Sequence, residues 1–181
     1  MTDAVDIRIC RDEDITRTGR FYDGVVAWLN EHVNYPRWIC GVYPSEHSVQ
    51  TMTEAGGQYI CERGETILGA FALNAEPQGN YQKARWSRVL PKGSYMVLHA
   101  LAIDPQSQRQ GLGTEMIRFC ADKARAKGYQ AIRIDVVPTN TPARRLFEKN
   151  GFVYVGDVDL ELPIGDIPAF SMYELNLQHS P

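Results

Sequence analysis

The chain reads as an α/β protein, of the α+β kind in which strands and helices share one layered core. Three observations predict it. Residues 97–128 run as an apolar strand, a short loop and a long amphipathic helix that opens on Gly111 and Gly113. Residues 131–155 then repeat the alternation as strand, short helix and strand. A hairpin pattern at 58–73 precedes both, so strands lie on either side of the strand–loop–helix unit.

Each element follows from local pattern. Ile7, Arg8 and Ile9 form a short first strand. Residues 12–33 are helical, with Ile15, Val25, Val26 and Leu29 as the apolar set; Gly19 and Gly24 weaken this helix and open the option of a break into two. Tyr35-Pro36 ends it. Ser45 caps a second helix that runs to Ala55 and stops at Gly56-Gly57. Residues 58–62 and 66–73 are strands about an Arg63-Gly64-Glu65 turn, and 74–94 is a polar loop bearing proline and glycine. After the strand at 97–103, Leu112, Met116, Ile117, Cys120, Ala121 and Ala124 recur at helical spacing, and Gly128 stops that helix. Ile132, Ile134 and Val136 alternate as in a strand, which Pro138 ends. Thr141 is taken as the cap of a short helix with Pro142 at its first position, burying Ala143, Leu146 and Phe147. Strands starting at Phe152 and spanning 169–177 complete the pattern. There is no repeat and no sign of a second domain, so residues 1–181 read as one domain.

Composition narrows the function classes. The chain is 44% hydrophobic and 23% charged, as ordinary globular proteins are. A formal net charge of −3 argues against a nucleic-acid partner. No apolar run is long enough to cross a membrane, and the first residues lack the charged and apolar regions of a signal peptide. Cys10, Cys40, Cys61 and Cys120 show no metal-ligand spacing; they read as reduced thiols of a cytoplasmic protein without a metal.

The chemistry concentrates at Gln108-x-x-Gly111-x-Gly113. A helix that opens there aims free N–H groups and a positive dipole end at one point, and a phosphate is the natural occupant. A dinucleotide loop needs a third glycine where Met116 stands, and a Walker loop needs a Lys after its last glycine. A nucleotide-binding variant with Asp135 as ribose ligand, or an ordinary strand-to-helix turn, stays open at this point.

The loop resembles the acetyl-CoA pyrophosphate loop of the GCN5-related N-acetyltransferases (GNAT), Q/R-x-x-G-x-G/A. A second signature of that superfamily follows in the right order: Asn140-x-x-Ala143-x-x-Leu146-Phe147-Glu148-Lys149-x-Gly151-Phe152. The resemblance covers residues 96–177 well, and Tyr35-Pro36-Arg37-Trp38 and Tyr43-Pro44 look like one bacterial-type branch. It implies the GNAT fold: a central mixed, mostly antiparallel sheet of about seven strands, splayed between the fourth and fifth, with about four flanking helices. It also implies an acceptor-side half near 1–95 and an acetyl-CoA-binding half near 96–177.

The implied activity is transfer of an acetyl group from acetyl-CoA to a primary amine by direct attack, the acceptor being a small metabolite, amino acid or peptide N-terminus; a non-catalytic acyl-CoA-binding module is the alternative. By resemblance, Gln108, Arg109, Gln110, Gly111, Leu112, Gly113 and Thr114 hold the pyrophosphate. Leu101, Ala102 and Ile103 pair with the pantetheine arm, and Asn140, Ala143, Arg144 and Phe147 complete the cofactor set. Arg144 and Arg145 are the candidates for the 3′-phosphate. His99 is the candidate general base, because a pKa near 6.5 suits proton acceptance at neutral pH, with Glu62 and Asp135 behind it. Trp38 and Trp86 are expected to wall the acceptor. Relatives often carry Tyr at Phe147, whose phenol protonates the leaving thiolate. Phe cannot, so Phe147 packs against pantetheine and Tyr154 or Tyr173 takes the role, or a thiolate of pKa about 8.5 leaves unassisted. Pairing of the last strand across a homodimer, as in some relatives, is left open.

Overall fold

The computed structural model describes residues 4–164 and 167–177; residues 1–3, on which part of the leader reading rests, lie outside it. Seven strands form one sheet in the order β1-β2-β3-β4-β5-β7-β6. They are β1 (Asp6–Ile9), β2 (Gln58–Arg63), β3 (Thr66–Asn74), β4 (Tyr95–Ile103), β5 (Ala131–Val136), β6 (Val153–Val158) and β7 (Phe170–Asn176). The helices are α1 (Ile15–Glu31), α2 (Glu46–Glu54), α3 (Leu112–Ala126) and α4 (Thr141–Lys149). β1–β2, β2–β3, β5–β7 and β6–β7 pair antiparallel, while β4–β5 pair parallel. This is the mixed sheet that the sequence predicts. The chain divides into two units, Met1–Leu73 with His99–Met116, and Asn74–Leu98 with Ile117–Pro181.

The first unit gathers Tyr22, Val25, Val49, Ile60, Ala70 and Ala102 into its core. α1 is unbroken despite its two glycines. A Cβ on Gly19 would stand 2.8 Å from the Glu46 Cβ, so this glycine is where α1 admits the start of α2. α2 starts on Ser45, whose hydroxyl accepts from the Ser48 N–H, as the sequence predicts. Gly69 plays a similar part in β3, because a Cβ there would stand 2.9 Å from the Met116 sulfur.

A cluster of four charges links β1, β2 and the start of α1 in this unit. Arg8 bonds Glu62 (2.6 Å) and Asp14 (2.7 Å), and Arg17 bonds Asp14 (2.6 Å) and Glu62 (2.6 Å). Both Glu62 oxygens are thus engaged by guanidinium groups. This overturns Glu62 as a stand-in base: its carboxylate is a structural partner that ties β2 to β1 and α1.

The second unit packs Tyr81, Tyr95, Val97, Ala131, Leu160 and Met172 together. Its long 74–94 segment is anchored on the sheet by polar side chains. The Tyr81 hydroxyl donates to Asp135, and the Ser87 N–H and hydroxyl both donate to Glu174. Glu174 in turn pairs with Arg133 at 2.9 Å, with both side chains buried. α4 corrects one sequence expectation. Its cap is Asn140, whose side-chain oxygen accepts from the Ala143 N–H at 3.2 Å, so Thr141 is already helical and Pro142 sits one position later.

Candidate functional site

The parallel pairing of β4 with β5 runs from Tyr95↔Ala131 to Val97↔Arg133 and stops there, although β4 continues to Ile103. Within β4, Ala100 adopts φ +49, a left-handed conformation that costs an L-residue about 1 kcal/mol. The Tyr22 hydroxyl on α1 donates to the Ala100 carbonyl at 2.8 Å. Burial pushes the Tyr22 phenol well above its ordinary range, so it stays a donor. The bend therefore has a fixed cause. Tyr22 lay outside the sequence reading, since nothing at either residue signals a pairing 78 positions apart.

His99, Leu101, Ala102 and Ile103 flank this bend; His99 and Ala102 are buried, and Leu101 and Ile103 are half-buried. The turn after β4 is organised by Asp104. Its N–H bonds the Leu68 carbonyl (2.8 Å), its carbonyl accepts from the Ser107 N–H (2.8 Å), and its carboxylate accepts from the Ser107 hydroxyl (2.8 Å). The chain then enters Gln108 extended, turns left-handed at Arg109 (φ +64) and again at Gly111 (φ +83), and begins α3 at Leu112.

Alternating handedness of this kind points successive N–H groups inward as an anion-binding nest. The Gly111 carbonyl already accepts the Glu115 N–H (3.1 Å), so the groups at the start of α3 are its first-turn orphans. Among the described residues, positions 108–113 donate no backbone hydrogen bond outside the helix. A Cβ on Gly111 would meet nothing within 4 Å, which leaves its backbone open to a ligand. Gln108, Arg109, Gln110 and Gly111 are exposed, Thr114 is half-buried, and Leu112 and Gly113 are buried. Loop geometry, dipole and open donors all suit a diphosphate.

Of the other predicted site residues, Trp38 lies in the first unit and the rest in the second. Asn140 spends its side-chain oxygen on the α4 cap, and its amide N–H groups make no hydrogen bond among the described residues. Ala143 is half-buried in the first turn of α4. Arg144 is engaged: its Nε donates to the Tyr173 hydroxyl (2.8 Å) and its Nη1 to the Pro138 carbonyl (3.1 Å). Arg145 is exposed and makes no ion pair among the described residues. Phe147 is buried edge-on against Phe152, with ring centroids 5.3 Å apart.

The Tyr173 hydroxyl donates to Glu148 (2.8 Å) while accepting from Arg144, so its proton is already committed. Tyr154 on β6 is 45% exposed and edge-on to Tyr173; burial of part of its ring and then the neighbouring Asp157 carboxylate, which its hydroxyl faces, raise its pKa. Asp135 accepts from Tyr81, and burial outweighs that bond to raise its pKa.

The two tryptophans have separate settings. Trp38 packs edge-on against Tyr22 at 6.2 Å in the first unit. Trp86, in the second, donates its indole N–H to the Tyr81 carbonyl (2.8 Å) and already stacks the Arg133 guanidinium 4.2 Å from its ring. Among the described residues there is no cluster of His, Cys, Asp or Glu that could hold a metal ion, and no helix is long and apolar enough to cross a membrane.

Residues 25–152 match the family model described as the acetyltransferase (GNAT) family. A curated relative from Arabidopsis thaliana, GCN5-related N-acetyltransferase 6, chloroplastic, is 31% identical over 61 residues. That match covers 34% of this chain and 21% of the relative, so only a fifth of the relative's length is spanned. Among solved structures, a GNAT-family acetyltransferase from Streptococcus agalactiae superposes with a TM-score of 0.74 at 15% identity, covering 99% of each chain. The yncA protein of Salmonella typhimurium, determined with its cofactor acetyl-CoA, gives 0.70 at 17% identity over 98% of this chain and 96% of that one. N-acetylglutamate synthase from Neisseria gonorrhoeae, complexed with coenzyme A and N-acetyl-glutamate, gives 0.67 at 17% identity; it covers 99% of this chain and 36% of that one. At these identities the structures speak to the fold.

Proposed function

The chain belongs to the acetyltransferase (GNAT) family, and on that premise we propose that it moves an acetyl group from acetyl-CoA to a primary amine by direct attack. The observation that carries this reading is the loop at 108–113, with Arg109 and Gly111 left-handed and, among the described residues, no backbone hydrogen bond donated outside the helix. The donor supplies a thioester, an acyl group activated towards nitrogen. The chain's own groups do the rest.

The N–H groups of 108–114 bind the diphosphate, and Arg109 adds charge. Beyond Val97, where β4 runs on without β5, the backbone of Leu101, Ala102 and Ile103 bonds the pantetheine amides as a neighbouring strand would. An N–H there faces the developing oxyanion. Asn140 and Ala143 hold the arm or a bridging water. Arg145, the uncommitted cation of its pair, takes the 3′-phosphate in place of Arg144.

His99 accepts the amine proton as nitrogen bonds the carbonyl carbon and the carbon–sulfur bond breaks. Phe147 has no proton to give and is packed on Phe152, and Tyr173 is committed to Glu148, so Tyr154 is the proton donor to the thiolate. Trp38 is the acceptor-side aromatic of the first unit. Trp86 lines a cavity of the second unit. The protein acts in the cytoplasm.

Thiol release from acetyl-CoA across a panel of amines, amino acids and peptide N-termini tests the reading. Amine-dependent release is expected. Coenzyme A binding without release by any member would establish the non-catalytic binding module instead.

A further inference from the structure

We propose that the second unit carries its own binding site for a small organic carboxylate with an apolar body, in the cavity beneath the 74–94 segment. The inference rests on that unit alone and is independent of acetyl transfer.

The cavity measures about 900 Å³, within the size range of small-molecule sites. Its walls include Trp86, Leu90, Tyr95 and Leu160, with Arg133 among the lining groups. Arg133 is 2% exposed and lies between the rings of Trp86 (4.2 Å) and Tyr95 (4.1 Å). Its Nε bonds Glu174 (3.0 Å), and its Nη2 bonds Glu174 (2.9 Å) and the Arg88 carbonyl (3.0 Å).

Nη1 has no hydrogen-bond partner among the described residues. Yet among the described residues no fully buried side-chain nitrogen or oxygen is left unsatisfied. Nη1 therefore keeps some exposure, and since Arg133 lines the cavity, that exposure is towards it. A rigid guanidinium edge fixed by two aromatic faces and a carboxylate is preorganised to donate to an acceptor oxygen.

Charge selects among oxygen ligands. The acids on the wall are already matched: Glu76 by Lys92 (3.1 Å) and Glu161 by Lys83 (2.7 Å). Glu174 balances Arg133. Among the described residues Arg85 makes no ion pair, and the Arg88 side chain meets only the neutral Gln130 amide (2.9 Å). Two uncompensated cations therefore line this cavity in a chain of net charge −3. They favour an anion. A bare inorganic anion leaves the aromatic and aliphatic walls uncovered, so the fitting ligand joins a carboxylate to an apolar group.

The probes are phenylacetate, 3-phenylpropionate and indole-3-acetate, each against its neutral amide. They are titrated into the full chain while the Trp86 indole N–H resonance, assigned with Trp86→Phe, is followed. At least one carboxylate is expected to shift that resonance and to bind about tenfold or more tightly than its amide, as a charge-assisted contact does. The exposed double variant Arg85→Glu/Arg88→Glu is expected to lose that tenfold preference while its melting temperature stays unchanged. If no carboxylate moves the Trp86 signal at millimolar concentration, or if the double variant binds as the wild type does, the site is excluded. Neither result bears on acetyl-CoA, so the two proposals fail separately.

Discussion

The Tyr22 hydroxyl holds the carbonyl of Ala100 at 2.8 Å, and Ala100 is the left-handed residue that bends β4 two positions before Ala102. One helix thereby shapes the strand on which the proposed thioester contacts lie. Tyr22→Phe removes this bond from a half-buried carbonyl and is expected to cost about 1 kcal/mol in urea unfolding. Ala100→Gly removes the steric cost of the left-handed backbone and keeps the bend, so turnover is expected to survive it. If turnover survives Ala100→Val, the bend is not needed for catalysis, because a β-branched residue resists that conformation.

The Arg8–Asp14–Arg17–Glu62 cluster predicts a pH dependence. The Arg8 hydrogen bond, against the opposing effect of burial, holds the Asp14 carboxyl well below the usual carboxylate range. A group with a depressed folded pKa contributes stability that is complete above its unfolded value, near 4, and is lost as pH falls below it. Wild-type stability is therefore expected to decline through that acid window, and Asp14→Asn to flatten the decline. The variant leaves Arg8 and Arg17 short of a partner and is expected to cost about 3 kcal/mol at neutral pH. Chemical denaturation at several pH values checks both signs.

Arg133 and Glu174 predict a non-additive pair. Glu174→Gln strands a buried guanidinium and releases Ser87, so a loss of about 3–5 kcal/mol is expected, together with faster proteolysis within 74–94. The double variant Arg133→Met/Glu174→Leu is expected to recover much of that loss, because neither charge is then buried alone. Equal losses for the single and double variants would contradict this.

Tyr154→Phe is expected to lower kcat about tenfold or more, with KM for acetyl-CoA held, as removal of a proton donor does. Tyr173→Phe breaks bonds to Arg144 and Glu148 and is expected to act on stability instead. Unchanged kcat in Tyr154→Phe would leave the thiolate to depart unassisted.

The parts legible in the sequence are those set by local chemistry. Helix period, caps and glycine stops located α2, α3 and the loop before α3, because each needs only neighbours within a few residues. The Asn140 cap was within reach of the same reasoning, since its oxygen meets an N–H three residues on. What escaped depends on register. Glu62 meets Arg8 across 54 positions and Glu174 meets Ser87 across 87, and neither can be read before the strands are paired. Ala100 escaped for a different reason: alanine gives no signal for a left-handed backbone, which the Tyr22 contact imposes from outside. Gly19 misled because its helix cost is local while its use, admitting α2, is tertiary.

The central claim is that the main chain at 108–114 holds the diphosphate of coenzyme A. Calorimetric titration of coenzyme A into the wild type and into Gly111→Val tests it most directly. Valine at φ +83 strains the loop and sets a side chain in the open space above it. Heat of binding is expected for the wild type and none for a Gly111→Val protein that still melts cooperatively. Equal affinity in that folded variant, or no heat from the wild type, would contradict it.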